Sequence, residues 1–401
     1  MLYLASASPR RRELLEKAGI EYTLVEQNAD ENLAEEILPA DAVLLLAERK
    51  CLAGAERVSP SDAVLGADTL VALGREKLGK PKNEEDAFLM LRRLSGTTHA
   101  VYTGVAIIKD GVMYSGVDKT EVVFRKLTDK EIHRYVKSGE PMGKAGSYAI
   151  QGKGGKLVKE YRGKLDNVVG LPVDLVRALL EKHEKRQKMA AAVAALKEAY
   201  PDASCALAYG GDPWRLLVMG RLSAQCTDAR VNEVCKELFT KFPTAEAMAK
   251  ADLTEIEAIV RPCGLYRVKA KDIKEASDML IREFGGVLPD DMESLLRFSG
   301  VGRKIANLLL GDVYKKPAVV TDTHCIRICG RLGAYEEGEK NPYKIEKILA
   351  ELLPEQESAD FCHRIVHFGR EFCRARAPLC DACPLSSLCD RKMREKQENK
   401  I

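Results

Sequence analysis

The chain has 401 residues, enough for two or three domains rather than one. With 46% hydrophobic and 31% charged residues it can build a packed core, and a net charge of +3 means that any surface for a polyanion must be a local patch. The first residues lack the basic start and long apolar stretch of a signal peptide, and the apolar run at 42–47 is far too short to span a bilayer, so a cytoplasmic protein with no membrane partner is expected.

Leu4-Ala5-Ser6-Ala7-Ser8-Pro9-Arg10-Arg11-Arg12 reads as a strand, a small-residue turn and a helix begun at proline. Hydroxyls and arginines at a helix N-terminus make an anion site. Helical segments at 11–18, 40–55 and 84–94 alternate with short β-branched runs at 63–66, 101–108 and 120–124, the pattern of an α/β domain. Gly152-Lys153-Gly154-Gly155-Lys156 imitates a P-loop without its spacing. A charged stretch without apolar period follows, and its residues 184–188 read as a solvated helix end or a linker. A fresh amphipathic helix is expected from Met189, and from there strand signals almost vanish. Asp212-Pro213 marks one helix start by an N-cap and a proline at the first helical position.

Phe298-Ser299-Gly300-Val301-Gly302-Arg303-Lys304 is a G-x-G turn leading into a helix, whose free backbone N–H groups suit a phosphate. Eighteen residues beyond Lys304 stands Asp322, in the polar quartet Thr321-Asp322-Thr323-His324. Eleven of the twelve cysteines lie beyond residue 200. Cys373, Cys380, Cys383 and Cys389 form a C-x6-C-x2-C-x5-C loop, able to hold either zinc or a [4Fe–4S] cluster. The other cysteines read as small buried hydrophobes. Arg374 and Arg376 inside the loop offer phosphate contacts.

The hairpin, Asp322, the four cysteine gaps, Leu222-Ser223-Ala224-Gln225-Cys226-Thr227-Asp228, Gly264-Leu265-Tyr266 and Phe368-Gly369-Arg370 together resemble the endonuclease III family of helix-hairpin-helix glycosylases over 189–401. The resemblance implies an all-α domain with the cluster loop at 373–389 and favours [4Fe–4S] over zinc. It assigns Lys304 as Schiff-base nucleophile and Asp322 as second catalytic residue. Gln225 and Leu265 would enter the gap left by a flipped base, with Gly300, Gly302 and Arg303 on DNA. The implied partner is double-stranded DNA with damaged pyrimidines or abasic sites. Arg303 and the dipole of the helix are expected to help the amine lose its proton. The chain departs from the family at Phe298-Ser299, usually Leu-Pro, and Arg221 interrupts an apolar helix, either to face DNA or to pair with an acid.

Ser6-Ala7-Ser8-Pro9-Arg10-Arg11, Gly66-Ala67-Asp68-Thr69, Gly79-Lys80-Pro81, Lys144-Ala145-Gly146, Ile150-Gln151-Gly152 and Gly170-Leu171-Pro172 resemble the Maf family of nucleoside triphosphate pyrophosphatases over 1–183. That implies a mixed sheet with flanking helices, as in the ITPase-like folds. Asp68 would activate water, and Ser6, Ser8, Arg10, Arg11, Glu31, Lys50, Thr69, Lys80 and Gln151 would bind substrate. A divalent cation, Mg or Mn, would offset the triphosphate charge. Arg10, Thr69 and Gln151 match the subgroup that resembles dTTP/UTP pyrophosphatases. Two non-enzymatic alternatives stand beside these: a nucleotide-binding regulator of cell division for the first half, and a DNA-binding iron–sulfur sensor for the second. The oligomeric state is open, a homodimer through the N-terminal domain being one option.

Overall fold

The computed structural model describes residues 1–34, 36–391 and 393; the tail of the 189–401 expectation, residues 394–401, lies outside the described residues. The chain divides into two compact units, 1–184 and 185–401.

In the first unit, β1 (Leu2–Leu4) leads into α1 (Pro9–Lys17), then β2 (Thr23–Leu24) and α2 (Pro39–Ala55). β3 (Ala63–Leu73), β4 (Glu76–Leu78), α3 (Glu84–Leu94), β5 (Thr98–Lys109), β6 (Val112–Phe124), α4 (Asp129–Val136), β7 (Val158–Arg162) and α5 (Leu165–Val169) follow. The sheet is mixed, ordered β2-β1-β3-β5-β6-β7 with β4 on β3; β1 pairs in parallel with β2 and β3, and the other pairs are antiparallel. The strands at 63–66, 101–108 and 120–124 all prove longer than their apolar runs, because β-hairpin pairing carries the polar residues along. Helix α2 lies directly on the sheet because two strand positions lack a Cβ. One added at Gly66 would stand 2.3 Å from the Ala47 carbonyl oxygen, and one at Gly104 2.2 Å from that of Val43. That close approach brings Lys50 of α2 onto Asp68 of β3.

Helix α6 (Val173–Ala199) contains the charged residues 184–188. The fresh start expected at Met189 is therefore a continuation: residues 173–199 hold no Gly or Pro, and Lys, Glu, Arg and Gln are good helix formers.

The second unit is helical: α7 (Pro213–Leu222), α8 (Asp228–Lys241), α9 (Ala245–Lys250), α10 (Leu253–Val260), α11 (Tyr266–Phe284), α12 (Met292–Leu295), α13 (Arg303–Asp312), α14 (Thr323–Arg331), α15 (Pro342–Leu352) and α16 (Ser358–Glu371). Asp212 caps α7 through the amides of Trp214 and Arg215, with Pro213 at the first position as the sequence suggests. One core gathers the apolar faces of α7 to α13. A second joins Met189, Val193 and Leu196 to α14–α16 and Leu385. Lys304 begins a helix of the first core and Asp322 begins one of the second. Cys235, Cys263, Cys325, Cys329 and Cys362 are buried as expected, whereas Cys205 and Cys226 are only partly so. Among the described residues, no helix is long and apolar enough to cross a membrane.

Two candidate active sites

Every substrate residue expected in the first unit lines one cavity of about 470 Å3, together with Asp68. β3, the turn between β1 and α1 and the loop around Gln151 all contribute to its lining. Ser8 at the N-cap of α1 makes no side-chain cap, leaving the first amides of that helix open to an anion. Arg11 is held rather than free: its Nε donates to the Gly170 carbonyl (2.9 Å), one Nη to Ser6 Oγ (3.0 Å) and the other to Thr69 Oγ1 (3.4 Å). Burial lowers its pKa, with the charge of Asp68 opposing that. Thr69 Oγ1 is in turn 3.0 Å from Thr103 Oγ1, which donates to the Asn167 carbonyl.

Lys50, only 7% exposed, sets its ammonium 2.6 Å from both Asp68 Oδ1 and Glu31 Oε1. The Lys50 hydrogen bond outweighs burial and keeps Glu31 below the usual carboxylate range. Five cations of the lining (Arg10, Arg11, Lys50, Lys80, Lys144) face two carboxylates, an excess suited to a polyphosphate. A divalent cation fits this site in one respect: Glu31 and Asp68 converge on a single cation position, now filled by the Lys50 ammonium. Their two carboxylates leave the other ligands to substrate and water. Gln27 and Tyr148, which no sequence motif marks, also line the cavity, as does Lys144 of the Lys144-Ala145-Gly146 motif, which was assigned no binding role. Beneath the cavity wall, His99 Nε2 lies 2.9 Å from Tyr148 Oη, and burial pushes the imidazole down to about 4.

The P-loop imitation already holds an anion of its own. Glu140 accepts the amides of Lys153 (2.9 Å) and Gly154 (3.0 Å) and the Tyr135 hydroxyl (2.9 Å). Burial would raise its pKa, but those bonds lower it further. The amides of this loop are thus already taken by a carboxylate.

In the second unit, Lys304 is exposed in the first turn of α13 and, among the described residues, has no hydrogen bond or ion pair. Gly302 at its N-cap has no side chain to occupy the first amides. Asp322 caps α14: Oδ1 accepts the Cys325 amide at 2.7 Å, and Oδ2 lies 3.2 Å from His324 Nδ1. Burial alone would raise the Asp322 pKa; the His324 bond, the Cys325 amide and the charges of His324 and Lys304 bring it below the usual range. The Lys304 charge thus reaches a carboxylate whose position a helix cap fixes.

Arg303 does not act as expected beside the amine. Its guanidinium pairs with Glu346 through Nε (2.9 Å) and Nη2 and lies 4.9 Å over the Tyr343 ring. A paired charge adds little field, so the helix dipole is the remaining local source. The departure at Phe298-Ser299 has a packing explanation. Phe298 stacks on Phe284, with centroids 5.2 Å apart, and Ser299 Oγ lies within reach of Asp272 (3.0 Å) and Glu275 (2.8 Å). Arg221 pairs with an acid: its Nε donates to Asp272 at 2.6 Å. That pair backs the hairpin at Gly300, whose φ of +73° and lack of room beside Arg221 both require glycine.

Gln225 and Leu265 are both exposed, and both adopt left-handed backbone, φ +55° and +50°. For non-glycine residues that costs roughly 1–2 kcal/mol each, strain that persists only where the surroundings impose it.

The four loop cysteines are free thiols around one small, mainly apolar pocket, with Phe372, Pro378, Leu379 and Arg331. Burial, followed by the charges of the other three, raises the Cys383 thiol. Arg331 donates to Cys373 Sγ at 3.2 Å and to the Arg374 carbonyl, while Arg374 and Arg376 point outward, exposed. Four thiols around a water-poor pocket, with a guanidinium against one sulfur, are a donor set that fits an iron–sulfur cluster. Among the described residues no three His, Cys, Asp or Glu are arranged to hold a single metal ion.

A basic pocket on a mixed sheet and a hairpin lysine whose charge reaches a capping aspartate mark a chain that joins a nucleotide hydrolase to a base-excision DNA-repair enzyme. Residues 1–183 match the family of Maf-like proteins, and 218–355 the HhH-GPD superfamily of base excision DNA repair proteins. The dTTP/UTP pyrophosphatase of Desulfitobacterium hafniense (strain Y51) is 50% identical over 186 residues, 45% of this chain and 84% of that protein. Endonuclease III of Synechocystis sp. (strain ATCC 27184 / PCC 6803 / Kazusa) is 42% identical over 206 residues, 51% of this chain and 93% of that protein. A non-covalent endonuclease III–DNA complex shares 37% identity at a TM-score of 0.50, covering 53% of this chain and 98% of that one. The chain belongs to both families, the Maf-like proteins through its first half and the HhH-GPD base excision repair proteins, with endonuclease III, through its second.

Proposed function

We propose that the second half, from residue 189, releases oxidised pyrimidines from double-stranded DNA and cleaves the abasic strand. The observation that carries this reading is the exposed, unpaired Lys304, whose charge is felt by the capped Asp322. The amine adds to C1′ as the damaged base leaves, and the resulting Schiff base acidifies the C2′ proton. Loss of that proton expels the 3′ phosphate. Asp322, with both oxygens already bonded, acts as a fixed anion for the oxocarbenium charge rather than as a mobile base. Gly300, Gly302 and the open amides of α13 take a phosphate, while Gln225 and Leu265 fill the gap in the duplex. A solved relative trapped as a covalent endonuclease III–DNA intermediate, at 37% identity, supports the same chemistry here. Cys373, Cys380, Cys383 and Cys389 would hold a [4Fe–4S] cluster, and the loop they tie down would bring Arg374 and Arg376 to the DNA backbone. Iron content and thiolate-to-iron absorbance test that assignment.

The first half, residues 1–183, hydrolyses dTTP- or UTP-type nucleotides to the monophosphate and pyrophosphate, with 184–188 as the boundary between the activities. Asp68 takes a proton from water, its Oδ1 steadied by Lys50. Lys80, Arg10 and Lys144 bind phosphates, and Ser6, Ser8 and the start of α1 contribute donors. Thr69 and Gln151 meet the base, an amide offering donor and acceptor to a pyrimidine edge. Glu31 and Asp68 would share a divalent cation, Mg or Mn, that offsets the phosphate charge.

Two assays on the full chain test these readings. A duplex with one abasic site is cut by the parent and not by Lys304→Gln; equal cutting removes Lys304 from its role. Pyrophosphate release from a nucleotide panel is highest with dTTP and UTP and is lost in Asp68→Asn; equal release by both proteins overturns the assignment.

A further inference from the structure

Lys269, in the first part of α11, is fully buried, yet its ammonium faces no substrate cavity. Its three protons go to three backbone carbonyls: Leu222 at 2.8 Å, Ala224 at 2.6 Å and Cys263 at 2.8 Å. An ammonium has three protons, so its donor capacity is filled. The placement of the acceptors is informative. The Ala224 carbonyl shares a peptide plane with the nitrogen of Gln225, so fixing it fixes the plane from which Gln225 turns into its φ of +55°. The Cys263 carbonyl stands in the same relation to Gly264, which precedes Leu265 and has a φ of +68°. The Lys269 amide also donates to the Leu265 carbonyl at 3.1 Å. One residue therefore holds both exposed, left-handed positions, although 47 residues separate it from the farthest acceptor.

We propose that Lys269 is a positioning residue for strand entry, clamping the Gln225 and Leu265 loops at one spacing so that both side chains reach the gap left by a flipped nucleotide. The proposal rests on the repair reading above and deepens it. A buried lysine that served only stability would affect every activity of the unit alike. A clamp on the entering loops weighs on the step that needs them, displacement of a stacked base, and much less on cleavage of an abasic site that has no opposite strand to fill.

The test compares the full-length parent and Lys269→Met on two DNAs: a duplex with one oxidised pyrimidine and a single-stranded oligonucleotide with one abasic site. Base release from the duplex is expected to fall about 10–100-fold in single turnover, while cleavage of the single strand changes by no more than about 3-fold. A parallel fall on both DNAs, or no change on either, overturns the clamp. Gln225→Ala and Leu265→Ala serve as references. A split in them without one in Lys269→Met refutes the clamp alone, and a parent inactive on both DNAs refutes the repair reading itself. If the methionine variant does not fold, Lys269→Arg decides, since it keeps the charge but replaces a three-proton point donor with a planar fork. A smaller split of the same sense supports the clamp; a parent-like ratio overturns it.

Discussion

In the N-terminal pocket a buried ammonium, Lys50, sits between two carboxylates, whereas in the C-terminal site an exposed ammonium, Lys304, makes no ion pair among the described residues and its charge reaches a carboxylate with a partner on each oxygen. The same functional group is thereby suited to opposite tasks. Lys50 is saturated by charge and fixed in place, a binding group that a polyphosphate or a cation must displace or join. Lys304 has no ion-pair partner to release and need only lose a proton before it attacks. Lys269 is a third case, spent wholly on backbone carbonyls. What decides the role of a lysine in this chain is which acceptors surround it, more than how deeply it lies.

The largest effect that sharpens this contrast is Lys304→Gln. Strand cleavage at an abasic site should fall by on the order of 10³-fold or more, with pyrophosphate release unchanged. A matching loss of pyrophosphate release would break the separation of the two sites. Next, Asp68→Asn should lower pyrophosphate release by about 10²–10⁴-fold and leave abasic-strand cleavage intact.

The third effect is on stability. Burial holds His99 at about 4, whereas the unfolded imidazole titrates near 6.5. Between those values the unfolded chain binds a proton that the folded chain does not. Stability of the first unit is therefore full above about pH 6.5 and declines toward pH 4, by about 3 kcal/mol in all. Calorimetry at pH 7 and pH 4.5 should show its transition move down, and His99→Gln, which can still bond Tyr148, should flatten that dependence. An unchanged slope would remove His99 as the cause.

The smallest effect separates cap from catalysis at Asp322. Asn caps a helix about as well as Asp, so Asp322→Asn should melt near the parent yet lose strand cleavage. Asp322→Ala should also lose about 1 kcal/mol of stability. Because the folded pKa of Asp322 is lowered, its charge contributes stability above the unfolded pKa, lost as pH falls through the folded value. The parent should therefore lose stability relative to Asp322→Asn in that acidic range.

Much of both sites was legible because their signals are local. Asp68 and Thr69 are neighbours on a strand, the four cysteines lie in one short loop, and Gly300 to Lys304 is a single turn. The sheet and the helical half were equally plain from the change of hydrophobic period near residue 185. What stayed hidden depends on partners far along the chain. Glu346, which takes the charge of Arg303, lies 43 residues from it, and Asp272, which settles Arg221, lies 51 away. Nothing in the sequence marks Glu140 beside the imitation P-loop or Lys269 beneath two loops, since a charged side chain in a helix or turn carries no sign of what it will meet. The continuous α6 was hidden for another reason: a loss of apolar period looks like a linker, while helix-forming charged residues keep the backbone helical.

The central claim is that Lys304 attacks DNA covalently. Reduction with borohydride during incubation with an abasic-site duplex, followed by digestion and mass spectrometry, addresses it most directly. One stable protein–DNA adduct on the peptide containing Lys304 is expected, absent from Lys304→Gln. No adduct from the parent, or an adduct on another residue, would contradict it.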